Sequence, residues 1–285
     1  MSKLKIAVQK SGRLHEDSLK LLKDCGISID NGKDQLKAMA SNFPLEVLYL
    51  RNGDIPQYLK DGVVDIAIIG ENVLIEKGND IGVVEKLGFS KCKVSIAVPK
   101  ETNFNSITDL DGKKIATSYP NTVKEYFKKF NVIPDIHIIN GSVEIAPNIG
   151  LADAIVDIVS SGSTLFKNNL KEVEELLKSE AVLAVSPKIT KENQLVLDKL
   201  QFRIQAVLKA RKSKYILMNA PNNKIEAIIE LLPGMRSPTV LPLAEKGWSS
   251  IHTVIEKNSF WKVIDALKDN GAEGLLVIPI EKMVL

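Results

Sequence analysis

The sequence predicts an α/β protein of two similar lobes followed by a smaller module of different texture, and three observations carry that prediction. Strand-like and helix-like segments alternate along the first two thirds of the chain, the texture of parallel sheets covered by helices. Two parts of that region echo each other. Lys5-Ile6-Ala7 is matched by Lys114-Ile115-Ala116, and Gly62-Val63-Val64-Asp65 before one apolar run is matched by Gly150-Leu151-Ala152-Asp153 before another. After about residue 213 the order of elements becomes strand, helix, two strands, helix, strand.

Taken in order, Leu4 to Val8 reads as the first strand and Leu45 to Leu50 as the next long one. Ile66 to Gly70 is a continuous apolar run, as expected of a parallel strand covered on both faces. Val94 to Pro99 is expected to cross to the second lobe. That lobe opens with Lys114 to Ala116, then Thr117-Ser118-Tyr119-Pro120 and a helix from Val123 to Phe130, and it closes with the strand Ala154 to Val159. Ala181 to Pro187 returns. Ile189, Leu197, Leu200, Ile204, Val207 and Leu208 then form one apolar stripe at helical spacing, expected to pack back on the first lobe. The expected lobes are 1–95 with 180–210, and 96–179. Strand ends in such sheets gather ligands, so four loops should face one interlobe cleft, as in periplasmic-binding-protein-like folds.

The last segment, 211–285, reads as strand Lys214 to Ala220, helix Lys224 to Leu232, strands Val240 to Leu243 and Ile251 to Glu256, helix Phe260 to Lys268 and strand Leu275 to Ile280. That β-α-β-β-α-β order makes a ferredoxin-like module, a shape used for many purposes.

Composition bounds the function. A chain of 285 residues with 45% hydrophobic content buries a substantial core, and 38 Lys+Arg against 35 Asp+Glu is too balanced for a protein that wraps nucleic acid. Cys25 and Cys92 are isolated thiols without metal-ligand spacing, read as small hydrophobes in a reducing compartment. His15, His137 and His252 are scattered singly, which argues against a triad or a protein-held metal. The start of the chain leads directly into a strand with no long apolar run, so no signal peptide or membrane helix is expected and the cytoplasm is the expected location.

The most informative segment is Glu144 to Leu165, where the strand Ala154 to Val159 runs into Ser160-Ser161-Gly162-Ser163-Thr164. Hydroxyls, exposed N–H groups and a glycine that allows close approach suit a phosphate. Asp153 and Asp157 would repel it, unless the ligand carries hydroxyls beside its phosphate, as a ribose 5-phosphate does. An ordinary strand-to-helix turn with solvated acids is the competing reading. Three further loops add candidates. Lys10-Ser11-Gly12-Arg13 sets two cations beside a glycine, suited to a triphosphate or pyrophosphate. Arg51 opens a turn that would project its guanidinium into the cleft, or else forms a surface ion pair. Glu71 ends a buried strand, where it could accept from a substrate or cap the next helix, and Tyr119 could line the ribosyl site or simply pack.

The stretch 144–165 resembles the signature of the ATP phosphoribosyltransferases, with Glu144, Gly150, Ala152, Ile155, Asp157, Ile158, Ser161, Gly162, Thr164 and Leu165 at the family's spacing. The likeness extends to residues 6–14, 61–74, 113–120, 213–221 and 278–283, and is to the long form of the enzyme. It implies the first step of histidine biosynthesis, in which N1 of ATP displaces pyrophosphate from phosphoribosyl pyrophosphate. It also implies Mg²⁺ carried by the substrate, a homo-oligomer (dimer and hexamer), and a third domain for feedback inhibition by histidine. With that resemblance, Lys10, Arg13 and Arg51 are expected to carry catalysis. Asp153, Asp157, Ser160, Ser161, Gly162, Ser163 and Thr164 are expected to bind phosphoribosyl pyrophosphate, and Gly12, Arg13, Glu71 and Tyr119 the nucleotide. The expected effector site is Met235, Ser237, Pro238, Thr239 and Ala272, although residues 235–239 also read as a plain proline-bearing turn. A solute-binding protein and a ligand-sensing interaction protein are the rival classes; the missing export signal counts against the first, and turnover separates the second.

Overall fold

The computed structural model describes residues 3–30, 35–78, 80–160, 162–232 and 237–284. The chain divides into two compact units, one of residues 1–23 and 27–197, the other of 24–26 and 198–285.

The first unit holds two sheets. Its chain order begins β1 (Leu4–Gln9), α1 (Arg13–Asp24), β2 (Lys37–Met39), β3 (Leu45–Leu50), α2 (Ile55–Asp61), β4 (Ile66–Gly70), α3 (Glu71–Lys77) and β5 (Gly82–Lys86). It continues with β6 (Cys92–Pro99), β7 (Lys114–Thr117), α4 (Pro120–Lys128), β8 (Asp135–Ile138), β9 (Ala154–Val159), α5 (Ser163–Lys167), β10 (Leu170–Ser179), β11 (Ala181–Val185) and the start of α6 (Lys191–Lys212). The first sheet runs β2-β3-β1-β4-β11-β5 and the second β10-β6-β9-β7-β8. Apart from the edge strand β2, the two orders are the same: β3-β1-β4-β11-β5 maps onto β8-β7-β9-β6-β10. In each sheet the third and fourth strands of this order are antiparallel, because the fourth belongs to the crossing chain.

The sequence echoes are the visible part of this duplication. Asp65 Oδ2 accepts the Lys5 N–H at 2.7 Å, and Asp153 Oδ2 accepts the Lys114 N–H at 2.9 Å. Each aspartate also donates its own N–H to the same residue's carbonyl. These pairs lock the N-terminal ends of neighbouring strands. Toward the cleft, β4 and β9 are apolar because both faces are covered: Ala67 and Ile69 pack with Ile55, Leu59 and Val73, while Ala154 and Val156 pack with Val123 and Phe127.

The chain leaves the first sheet after β5 and enters the second at Cys92, so the crossing lies at 87–91; the return lies at Glu180, between β10 and β11. Val94 to Pro99, where the crossing was expected, is the body of β6. An apolar run with period two is a strand in whichever sheet it joins, and pattern alone does not reveal which. The strand β10, Leu-Lys-Glu-Val-Glu-Glu-Leu-Leu-Lys-Ser, consists of residues that favour helix, yet it pairs along β6 with two register shifts. Tertiary pairing overrides its local preference.

The second unit takes the rest of α6 and then β12 (Ser213–Pro221), α7 (Ile225–Leu231), β13 (Thr239–Pro242), β14 (Trp248–Glu256), α8 (Phe260–Asp269) and β15 (Glu273–Pro279). Its sheet order, β13-β14-β12-β15, is the ferredoxin-like arrangement the element order predicts, with Ile216, Met218, Ile251 and Ile255 packed against Ile228 and Leu267 of the helices. Among the described residues no helix is long and apolar enough to cross a membrane.

Candidate functional site

The strand ends of the first unit bring the loops together as parallel sheets require. The Lys10 N–H donates to the Leu50 carbonyl at 2.8 Å, which ties the loop after β1 to the end of β3 and sets Lys10 and Arg51 on neighbouring strand ends. Gly12 has φ +87°, a conformation that side chains resist, and it turns the loop into α1 with Arg13 as the first helical residue. Lys10, Arg13 and Arg51 are all exposed. Among the described residues Arg13 forms one ion pair, a loose one of 3.9 Å with Asp17 one turn on, which leaves its guanidinium available to a ligand. His15 turns its Nδ1 to the Gln9 carbonyl at 2.7 Å, a structural contact.

On the second lobe, β9 delivers Ser160 and Gly162 at its C-terminal end. Gly162 has φ +72°, and a Cβ there would meet nothing within 4 Å, so the loop leaves open space above its backbone. Ser163 and Thr164 begin α5 and are exposed; Ser161 and Met235 lie outside the described residues. Asp157 is half-buried on β9. Burial pushes its carboxyl above the usual range, the Ile158 N–H works against this, and the nearby charge of Glu144 adds to it. Two carboxylates, Asp157 and Glu144, thus influence each other through charge, the first of them on the strand that leads into the small-residue loop.

Asp153 is not one of them. It stands just before β9, six residues below the loop, a span of about 20 Å along an extended strand. There its carboxylate holds the Lys114 N–H. The sequence reading placed Asp153 in the cleft because it adjoins the signature strand, but the duplication shows it to be the counterpart of Asp65. The acid that partners Asp157 is Glu144, which the sequence reading matched to the motif without giving it a site role.

Glu71 and Ser160 do come together: with Lys86, Lys93, Lys178 and Ser179 they line a cavity of about 390 Å³ between the lobes. Lys86 Nζ lies 3.1 Å from Glu71, and Lys93 Nζ 2.6 Å from Glu172. Lys93 stands directly opposite Lys178 on one side and Val159 on the other. The lysines were missed because only strand register brings them to the cleft. Tyr119 is buried, and its hydroxyl accepts from Asn72 Nδ2 at 3.1 Å; burial, and secondarily the charge of Asp157, raise its phenol far above the ordinary value. Asn52 Oδ1, in the turn after Arg51, is buried and has no hydrogen-bond partner among the described residues. Among the described residues no group of three His, Cys, Asp or Glu side chains converges as a metal site would.

In the second unit, Ser237 and Pro238 lead into β13, whose first residue is Thr239, whereas Ala272 is buried at the turn before β15. β13 and β15 are opposite edges of the sheet. Three strand spacings, about 14 Å, separate them, so one module does not bring Thr239 and Ala272 together.

Comparison with known proteins bears on the family of the chain. The ATP phosphoribosyltransferase family model matches residues 51–206, and the model for the C-terminal domain of that family matches 210–282. The ATP phosphoribosyltransferase of Cytophaga hutchinsonii is 56% identical over 281 residues, covering 99% of this chain and 98% of the relative. The chain belongs to the ATP phosphoribosyltransferase family. That of Bacteroides thetaiotaomicron is 52% identical over 282 residues, covering 99% of this chain and all of the relative. A solved structure titled as the ATP phosphoribosyltransferase (HisG:HisZ) complex of Thermotoga maritima matches with 32% identity and a TM-score of 0.60, covering 71% of this chain and 98% of that one. As a member of the ATP phosphoribosyltransferase family the protein is a pentosyltransferase. It transfers the phosphoribosyl group of phosphoribosyl pyrophosphate to N1 of ATP and releases pyrophosphate, the first step of histidine biosynthesis.

Proposed function

We propose that the two lobes divide the work, the second gripping the phosphoribosyl group and the first the phosphates of ATP and the departing pyrophosphate. The observation that carries this division is the placement of half-buried Asp157 on β9 just before Ser160 and the open backbone of Gly162, with the cations Lys10, Arg13 and Arg51 at the first lobe's strand ends. The N–H groups and hydroxyls of 160–164 hold the 5-phosphate, and the carboxylates accept hydrogen bonds from the ribose hydroxyls. Mg²⁺ enters with the pyrophosphate, since this ion keeps its waters and prefers phosphate oxygens to an all-protein cage.

ATP N1 has a lone pair and no proton to lose, so the reaction needs no general base at the nucleophile. As pyrophosphate leaves, positive charge builds on the ribosyl C1 and ring oxygen and negative charge on the leaving oxygens. Arg13, Arg51 and Lys10 stabilise the latter. Holding two large substrates in line contributes on the order of 7–11 kcal/mol, more than one proton transfer offers. Positioning is therefore the main task of the cleft.

The ferredoxin-like module is the feedback sensor in this reading, taking histidine at the loop that leads into β13. Because Thr239 and Ala272 lie at opposite sheet edges, a site that uses both needs a second module, which supports a homo-oligomer built through this unit. A cytoplasmic location fits a pathway enzyme without membrane-spanning helices among its described residues.

The test is pyrophosphate release from ATP, phosphoribosyl pyrophosphate and Mg²⁺ by wild type, Arg13→Ala and Arg51→Ala, with circular dichroism alongside. Turnover should fall while the fold survives, because exposed loop residues carry little stability. Wild-type kcat and KM for both substrates in either variant would return that arginine to a surface role.

A further inference from the structure

We propose that Glu76 is a positioning residue for the transfer reaction, a carboxylate from the first lobe that caps a helix of the second and fixes the spacing between two cleft loops. α4 begins without a cap of its own. Its N-cap residue is Tyr119, which makes no side-chain cap hydrogen bond, and Pro120 follows at the first helical position. The N–H groups of the first turn would be orphaned. Glu76, near the end of α3, satisfies them: Oε1 accepts the Asn121 N–H at 2.9 Å, and Oε2 accepts the Thr122 N–H and the Thr122 hydroxyl, each at 2.8 Å. Asn121 Nδ2 completes the contact by donating to the Glu76 carbonyl at 3.0 Å. The side chain is buried, at 5% exposure, and a carboxylate loses its water there only against full hydrogen bonding.

A second cluster extends the clasp toward the cleft. Asn72 Nδ2 donates to the Tyr119 hydroxyl at 3.1 Å, Ser179 Oγ donates to Asn72 Oδ1 at 2.9 Å, and the Asn72 N–H donates to Ser179 Oγ at 3.0 Å. Gly70 is glycine for the same reason: a Cβ there would meet Asn72 Oδ1 at 2.5 Å. The start of α3, the start of α4 and the end of β10 are thus bound into one assembly with Glu76 at its base. Glu71, next to Asn72, lines the cavity between the lobes together with Ser179. A shift in α4 therefore moves Tyr119, at its N-cap, relative to Glu71 at the start of α3.

This inference rests on the reading of Glu71 and Tyr119 as nucleotide-binding residues. Glu76→Gln keeps the side chain's shape, loses its charge and turns an NH₂ toward N–H donors. It should raise the KM for ATP about tenfold while changing the KM for phosphoribosyl pyrophosphate by less than about twofold, since the 160–164 loop is not held by the clasp. Phe127→Leu, a core change in the same helix, supplies the control: it should lower the melting temperature and leave the KM for ATP alone. Equal effects of Glu76→Gln on both substrates, or none, would reduce Glu76 to a fold-stabilising cap and overturn the proposal. If Glu76→Gln fails to fold, Thr122→Val removes one donor only and should raise the KM for ATP about two- to threefold; an unchanged value in the folded variant is equally fatal. Glu71→Gln separates the two layers. If it leaves ATP kinetics untouched, the nucleotide reading itself falls, whereas a weakened Glu71→Gln beside a normal Glu76→Gln refutes the clasp alone.

Discussion

Replacing Asp157 by Asn should cost activity and raise stability, whereas Asp153→Ala should lower stability and leave activity nearly unchanged. Asp157 is half-buried beside Glu144, and its carboxyl is pushed above its ordinary value first by desolvation and then by that neighbouring charge. A folded-state value above the unfolded one means that the native protein binds the proton more tightly. Its contribution to stability is therefore fully present below the unfolded value and is lost as pH rises through the folded one. Asn carries no charge at any pH and escapes that loss. The variant's melting temperature should exceed wild type at pH 7, with the advantage shrinking toward pH 4, and each kcal/mol corresponds to roughly 2–4 °C in a protein of this size. The kinetic effect runs the other way. A charge-assisted hydrogen bond to a ribose hydroxyl contributes about 1.5–3 kcal/mol, so kcat/KM for phosphoribosyl pyrophosphate should fall by on the order of 10- to 100-fold. Asp153→Ala removes an exposed bond to the Lys114 N–H. It should lower stability by about 0.5–1.5 kcal/mol with little change in either KM. Scanning calorimetry across pH, paired with pyrophosphate release, measures both quantities. Asp157→Asn with wild-type kinetics would remove the acid from the ribose site, and a substrate-specific loss in Asp153→Ala would mean that the two ends of β9 had been assigned the wrong way round.

Gly162→Val should abolish use of phosphoribosyl pyrophosphate, since a β-branched residue is strained at φ +72° and its side chain enters the open space above the loop; Gly162→Asn, which tolerates that conformation, should retain more activity, and parity of the two would remove backbone geometry from the argument. Ser237→Trp, on the segment leading into β13, should abolish inhibition by histidine while catalysis persists, and should stop histidine from shifting the sedimentation profile; undiminished inhibition would place the effector outside this segment. Cys25 is buried and its thiol is pushed up to about 11, chiefly by desolvation, so maleimide at pH 8 should label the half-buried Cys92 first; peptide mapping showing Cys25 modified first in folded protein would contradict its burial.

Much of this architecture is legible in the residues because burial dictates them. Ile66 to Ile69 and Ala154 to Val156 are apolar throughout, since helices cover both faces of their sheets. Asp65 and Asp153 repeat because each locks the base of a strand pair. What escapes the sequence depends on distant pairing. Nothing in Leu170 to Ser179 announces a strand, and nothing near Glu76 says that its carboxylate will cap a helix 44 residues further on. Lys93 and Lys178 meet only through the register of β6 with β10. The opposite error, placing Asp153 in the cleft, came from reading nearness along the chain as nearness in space.

The duplicated sheet order also fixes when each lobe can be finished on the ribosome. Every strand of the second sheet lies between Cys92 and Ser179, so that lobe is one continuous stretch and its pairing can be complete before the rest is made. The first sheet cannot close so early. β11 lies between β4 and β5, so β5 has no partner until Val185 has emerged, about 100 residues after β5 itself. Domains are made at roughly 5–20 residues per second, which leaves that strand unpaired for about 5–20 s. The lobe begun first is therefore the lobe finished last. The Gly82 to Lys86 strand is the segment that waits longest for its partner during synthesis.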